Sequence, residues 1–325
     1  MADLVPVDIY AARARIAGLV RRTPLQHSAA LSSIGHAAVA LKLESLQETG
    51  AFKLRGATNK LLSLSEAERR RGVVAVSTGN HGRAVAFAAR RLGVRAVVCL
   101  SSLVPEVKRQ AIADLGAELV IDGESQDAAE AVAQRLVNRE GLVYASPFDD
   151  PFVIAGQGTI GLELVEDWPE IEVCVVPLSG GGLMGGSALA LKTANPAIRM
   201  IGVTMDQGAG MHASLRAGQP VEVAETASLA DSLTGGIGLD NRWTFDLCRR
   251  LVDETVLVSE AEIAAGMRHL LLEERVVAEG GGAVGVAALL AGRLDLAGRK
   301  AAIVVSGQNV DMAKLLAVAG GSGHG

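Results

Sequence analysis

Apolar residues along this chain fall into short uninterrupted runs separated by longer stretches of helical periodicity. Runs at 73–76, 96–100, 119–121 and 142–144 read as strands, with helices predicted near 83–92, 106–115 and 126–139 between them. After a turn-like break at Phe148-Asp149-Asp150-Pro151, a helix over 154–166 leads to further strands at 174–177, 200–203, 255–258 and 301–305. This alternation is the rhythm of βαβ units, and strands that are apolar throughout imply parallel sheets covered on both faces. The N-terminal part reads as a helix over 7–20, then an extended segment that ends in a strand at 39–43. Ser259 and Glu262 stand in capping-box spacing before a helix over 261–274. The expected fold class is therefore α/β in two unequal lobes. Residues 1–63 and 151–319 form the larger domain, 64–150 a small α/β domain inserted in it, and 320–325 a disordered Gly-Ser-rich tail.

Composition narrows the picture. Hydrophobic residues make up 49% of the 325 and aromatic residues only 3%, so the core is aliphatic, as parallel strands under helices require. The 38 glycines follow no period and sit between apolar runs, which assigns them to turns and ligand loops. A net charge of −5 without long single-sign blocks gives no surface for nucleic acid, and the partner is expected to be a small molecule. Cys99, Cys174 and Cys248 are scattered singly and read as reduced core residues of a cytoplasmic protein. The first residues lack a basic-then-apolar signal region, and no apolar run approaches the length of a membrane span.

Candidate chemistry begins at Glu44-Ser45-Leu46-Gln47-Glu48-Thr49-Gly50-Ala51-Phe52-Lys53-Leu54-Arg55-Gly56-Ala57. Lys53 stands between an aromatic and a leucine after a glycine turn, where partial desolvation would lower its pKa and leave a nucleophilic amine. Taken alone this stretch is a weak signal, because a lysine on an amphipathic helix usually buries its stem and keeps its charge in water. Ser77-Thr78-Gly79-Asn80-His81-Gly82 lies between a strand and a helix start, where amides and hydroxyls can meet a carboxylate, or simply cap the helix. Ser179-Gly180-Gly181-Gly182-Leu183 follows another strand and offers amides to a single phosphate. It has neither the Lys-Ser/Thr ending of a nucleotide loop nor the spaced glycines of a dinucleotide fingerprint. Ser306-Gly307-Gln308-Asn309 opens at the carboxyl edge of the last strand, as a ligand contact or as a plain turn. Glu279 precedes a further Gly-rich helix start, at the crevice or in solvent. One ligand needs an amine, a phosphate cup and polar groups around a ring together, and that ligand is pyridoxal 5′-phosphate.

These motifs, with Val153-Ile154-Ala155-Gly156-Gln157-Gly158-Thr159, together resemble the threonine dehydratase and serine racemase group of fold type II pyridoxal-phosphate enzymes. Leu46-Gln47-Glu48-Thr49-Gly50, Gly82-Arg83-Ala84-Val85, Phe148-Asp149-Asp150-Pro151 and Gly238-Leu239-Asp240-Asn241-Arg242 look most like the hydroxyectoine-utilisation dehydratases within it. The resemblance implies a tryptophan synthase β-like fold, with two doubly wound open-sheet domains, the cofactor in the crevice between them, and a homodimer. It also implies that Lys53 holds the cofactor covalently and then removes the substrate α-proton, with Phe52 against the ring and Asn80 on the phenolic oxygen. Ser179, Gly180, Gly181, Gly182 and Leu183 would cradle the phosphate, Ser306 would bond the ring nitrogen, and Ser77, Thr78, Asn80 and His81 would bind the substrate carboxylate.

Departures from the group carry information. Thr78 stands where racemases of the group have a serine, which favours elimination over racemisation. Met205 and Met211 replace acidic ligands of the group's divalent-cation site, so no metal is expected there. The chain ends soon after Asp311, so no regulatory domain is expected. Gln308 and Ser232 stand where glycines are usual and are expected, with Glu279, as further pocket contacts. The expected activity is dehydration of a β-hydroxy-α-amino acid to a 2-oxo acid and ammonia. The generic substrates are threonine or serine, and the specific candidate is a hydroxyectoine-derived 3-hydroxy-2,4-diaminobutyrate. The alternatives are an amino-acid racemase of the same fold and a non-catalytic ligand-binding protein.

Overall fold

The computed structural model describes residues 4–77, 79–104 and 106–321. Two sheets organise them. The larger is built from β1 (Leu25–His27), β2 (Ala38–Leu43), β7 (Val173–Pro177), β8 (Arg199–Met205), β9 (Glu254–Val258) and β10 (Lys300–Val305), in the order β1-β2-β10-β7-β8-β9. The smaller holds β3 (Val73–Val76), β4 (Ala96–Leu100), β5 (Glu118–Ile121) and β6 (Val143–Tyr144), in the order β5-β4-β3-β6. Every pairing is parallel except β1 with β2. The expected apolar runs thus become parallel strands, and β3, β4 and β7 are buried along their whole length, as strands covered by helices on both faces must be.

Helices depart from expectation where their starts are rich in glycine or the apolar pattern is short. Residues 25–38 are not one extended segment. A helix over Ala29–Gly35, capped by the Ser28 side chain on the Leu31 N–H, separates β1 from β2. The helix expected from 83 begins at Asn80, and the helix that the sequence leads one to expect over 187–193 runs Gly182–Ala194, with its glycines inside the first turns. The last helix, Met312–Gly320, includes the first glycine of the expected tail, and residues 322–325 lie outside the described residues.

The helix Lys53–Leu62 is packed between the lobes. Its Leu54, Ala57 and Leu61 join the apolar cluster under the smaller sheet, with Val73, Ala75 and Val85. Its Gly56 passes so close to the helix Pro151–Asp167 that an added Cβ would stand 2.8 Å from the Val153 carbonyl. This helix thus shares apolar packing with the strands of the smaller sheet. Cys99, Cys174 and Cys248 are free and buried, and no described helix is long and apolar enough to cross a membrane.

Candidate active site

The strand ends of both sheets open on one cavity of about 900 Å³. Main-chain bonds fix the Lys53 stretch against the loop that follows β10. Phe52 N–H donates to the Ser306 carbonyl at 3.0 Å, Gln308 N–H to the Gly50 carbonyl at 2.8 Å, and Ala51 pairs with Gly307 as an isolated antiparallel bridge. Gly50 turns at φ +75°, a conformation that favours glycine.

Lys53 reaches the cavity wall, and its Nζ donates to the Pro147 carbonyl at 2.6 Å and lies 5.1 Å from the Phe52 ring centroid. Burial lowers the lysine pKa to about 8, against the charge of Glu279, which raises it. His81 is buried at the start of the helix Asn80–Leu92, with Nε2 at 2.7 Å from the Ala145 carbonyl. Burial, and then the charge of Lys53, lowers its pKa to about 3. The ring is therefore neutral and donates through Nε2, so Nδ1, which has no partner among the described residues, is an acceptor. Glu279 is buried, and desolvation followed by Asp231 raises its pKa to about 7, against hydrogen bonds from Asn80 and Ser232.

The phosphate-loop expectation falls on the far wall. Ser179, Gly180, Gly181, Gly182 and Leu183 all line the cavity, and the helix Gly182–Ala194 begins there with no side chain capping it. A Cβ on Gly180 would lie 2.3 Å from the Phe148 ring, and Gly181 adopts φ +89°, so neither position accepts a larger residue without strain. Uncapped amides at a helix start facing a cavity form an anion seat.

Phe52, Ser77, Asn80, Ser232, Glu279 and Ser306 also line the cavity, and the Ser306 hydroxyl makes only a long 3.4 Å contact with the Gly281 carbonyl. Gln308 is not among the lining residues, because the antiparallel bridge turns its backbone onto Gly50. The contact expected at Thr78 lies outside the described residues. Met205 and Met211 are buried in apolar clusters, and no three His, Cys, Asp or Glu among the described residues are grouped to hold a metal ion. Asn309 was missed as an individual contact. It lines the cavity and donates to Asn80, and the signal for it was its place in the loop after β10.

Residues 16–307 match the family described as pyridoxal-phosphate dependent enzyme. The chain belongs to this family. L-threonine ammonia-lyase of Thermotoga maritima is 46% identical over 305 residues, 94% of this chain and 75% of that protein. The catabolic L-threonine dehydratase of Escherichia coli is 41% identical over 315 residues, 96% of this chain and 95% of that one. Maize serine racemase superposes with a TM-score of 0.92 at 34% identity, covering 97% of this chain and 96% of the other. The fold is that of the fold type II pyridoxal-phosphate enzymes related to threonine dehydratase and serine racemase, and the cofactor is pyridoxal 5′-phosphate. The site fits that group on its own evidence: a desolvated amine faces one cavity with an uncapped helix start whose glycines leave no room for side chains.

Proposed function

We propose that this enzyme is a dehydratase that removes water from a β-hydroxy-α-amino acid and releases a 2-oxo acid and ammonia. The observation that carries the reading is the Lys53 amine, desolvated at the wall of the cavity that also holds the glycine cradle. Bound pyridoxal phosphate supplies the electron sink that makes the substrate Cα–H acidic. Lys53 Nζ would hold the cofactor and would take the substrate α-proton. A pKa near 8 leaves a useful fraction of free amine at neutral pH. The amides of Gly180, Gly181, Gly182 and Leu183 and the Ser179 hydroxyl seat the phosphate. Phe52, Asn80 and Ser306 line the cavity, where Phe52 would lie against the ring, Asn80 would meet the phenolic oxygen and the Ser306 hydroxyl would meet the ring nitrogen as a neutral partner. Such a partner would leave the bound ring a weaker electron sink than a carboxylate partner would, which suits loss of a β-hydroxyl.

Ser77, Thr78, Asn80 and His81 are the carboxylate clamp in this reading. Because His81 Nδ1 is an acceptor, its share of the clamp falls to the backbone N–H at the helix start. The finer proposal for substrate is a 3-hydroxy-2,4-diaminobutyrate derivative from hydroxyectoine breakdown. Glu222 and Glu225 line the cavity, as does Arg83, and the two carboxylates support a cationic side chain over the methyl of threonine. A second reading, amino-acid racemisation, is favoured by the likeness to maize serine racemase. A cytoplasmic homodimer belongs to the same proposal, and light scattering at a monomer mass would remove the dimer.

Borohydride reduction of the yellow protein is expected to leave the cofactor mass on the Lys53 peptide, and its absence from that peptide would overturn the reading. Ammonia release from L-threonine, L-serine and 3-hydroxy-2,4-diaminobutyrate ranks the substrates. A chiral assay that yields D-serine without 2-oxo acid would select the racemase.

A further inference from the structure

One run of side-chain hydrogen bonds joins four segments at the edge of the cavity. Asn309 donates from Nδ2 to the Thr49 carbonyl at 2.8 Å and to Asn80 Oδ1 at 2.6 Å. An amide nitrogen carries two hydrogens, so both are spent. Asn80 Oδ1 is occupied by that bond, and one Asn80 Nδ2 hydrogen goes to Glu279 Oε1 at 2.6 Å. Glu279 also accepts from the Ser232 hydroxyl at 3.3 Å and from the Asn309 backbone N–H.

The direction of this run cannot be reversed. Its first member is the Thr49 main-chain carbonyl, which only accepts, so Asn309 must present nitrogen to it and nitrogen to Asn80. Asn80 must then present oxygen to Asn309 and nitrogen to the carboxylate, which keeps one of its N–H groups for the cavity it lines. Asn80 follows a strand of the smaller sheet, whereas Asn309 and Glu279 adjoin elements of the larger one. An amide reached only from its own helix could turn over and show its carbonyl to the cavity instead.

We propose that Asn309 and Glu279 are positioning residues that lock the Asn80 amide with an N–H, not a carbonyl, toward the cofactor's phenolic oxygen. The proposal rests on the role given to Asn80 above and goes beyond it by assigning the two residues that set its polarity.

The test uses full-length protein reconstituted with pyridoxal phosphate, read by the absorption spectrum of the bound cofactor and its dissociation constant. Asn309→Asp keeps the side-chain shape and removes the donor to both Thr49 and Asn80. It is expected to shift the absorption band and weaken cofactor binding at least ten-fold. Glu279→Ala is expected to do the same. Glu279→Gln, whose carbonyl still accepts from Asn80, is expected to restore the wild-type band, a rescue that a merely structural role would not give. Asn309→Asp and Glu279→Ala proteins that keep the wild-type band and bind within two-fold of wild type would overturn the proposal. So would a Glu279→Gln spectrum identical to a shifted Glu279→Ala spectrum. Wild-type protein that binds no pyridoxal phosphate would overturn the cofactor role of Asn80, and this proposal with it.

Discussion

Two groups of buried ionisable residues lie side by side along the helix Lys53–Leu62, and they are treated in opposite ways. Two residues beyond Lys53, Arg55 bonds both oxygens of Glu44 at 2.8 Å and Glu163 at 2.6 and 2.9 Å. Lys42 meets Glu163 at 2.6 Å and the Thr23 carbonyl at 2.7 Å. Burial by itself would push the Glu44 carboxyl up, but the charge and hydrogen bonds of Arg55 outweigh it and hold the carboxyl below its ordinary value. Every charge in this group has an opposite charge in contact. In the cavity, Lys53 has a neutral carbonyl, His81 has another, and Glu279 has neutral donors. Each is driven toward its uncharged form. In the function proposed above the first group is scaffold and the second carries the chemistry, and what separates them is the presence of a counter-ion rather than depth of burial.

The largest expected effect comes from breaking the paired group. Arg55→Met strands the buried Glu44 carboxylate, while Glu163 keeps Lys42, and should cost about 3–5 kcal/mol in urea unfolding, the usual penalty for a stranded buried charge. A loss below about 1 kcal/mol would show that this group is not held by its pairing. His81 tests the unpaired group from the acid side. Its folded pKa of about 3 lies below the ordinary 6.5, so the unfolded chain binds the proton first. Its contribution is therefore complete above pH 6.5 and drains away as pH falls toward 3. Cofactor-free wild type should lose about 2–3 kcal/mol more than His81→Asn between pH 7 and pH 4.5, measured by urea midpoints.

Glu279 gives the smallest shift, with the opposite sign. Its pKa, raised from 4.5 to about 7, makes its contribution complete below pH 4.5 and lost as pH rises through 7. Glu279→Gln should stabilise the cofactor-free protein by about 2 kcal/mol at pH 6 and leave it nearly unchanged at pH 4.5. Equal effects at both pH values would mean that Glu279 is ionised throughout and belongs with the paired group.

The parts legible in the sequence are those written in contiguous residues. The apolar runs of β3, β4, β7 and β10, the glycines after β7 and the Phe52-Lys53 pair each carry their meaning within a few positions. The helix Ala29–Gly35 was not legible, since seven residues with one buried leucine leave too short a period to detect. Helix starts at Asn80 and Gly182 were displaced because glycine has poor helix propensity and tertiary packing overrides it. Neither charged group was legible as a group. Arg55 is 108 residues from Glu163, and Asn80 is 199 from Glu279, so only the folded chain brings them together.

The Ala51–Gly307 bridge has a consequence for engineering. It works as a gauge block: the spacing between position 53 and position 306 is written in main-chain atoms, which ordinary side-chain replacements leave alone. The chemical group offered at either end can therefore be exchanged while the distance between them is inherited. If Ser306 is the ring-nitrogen partner proposed above, a new partner such as an acid at position 306 would start from a seat already cut to length.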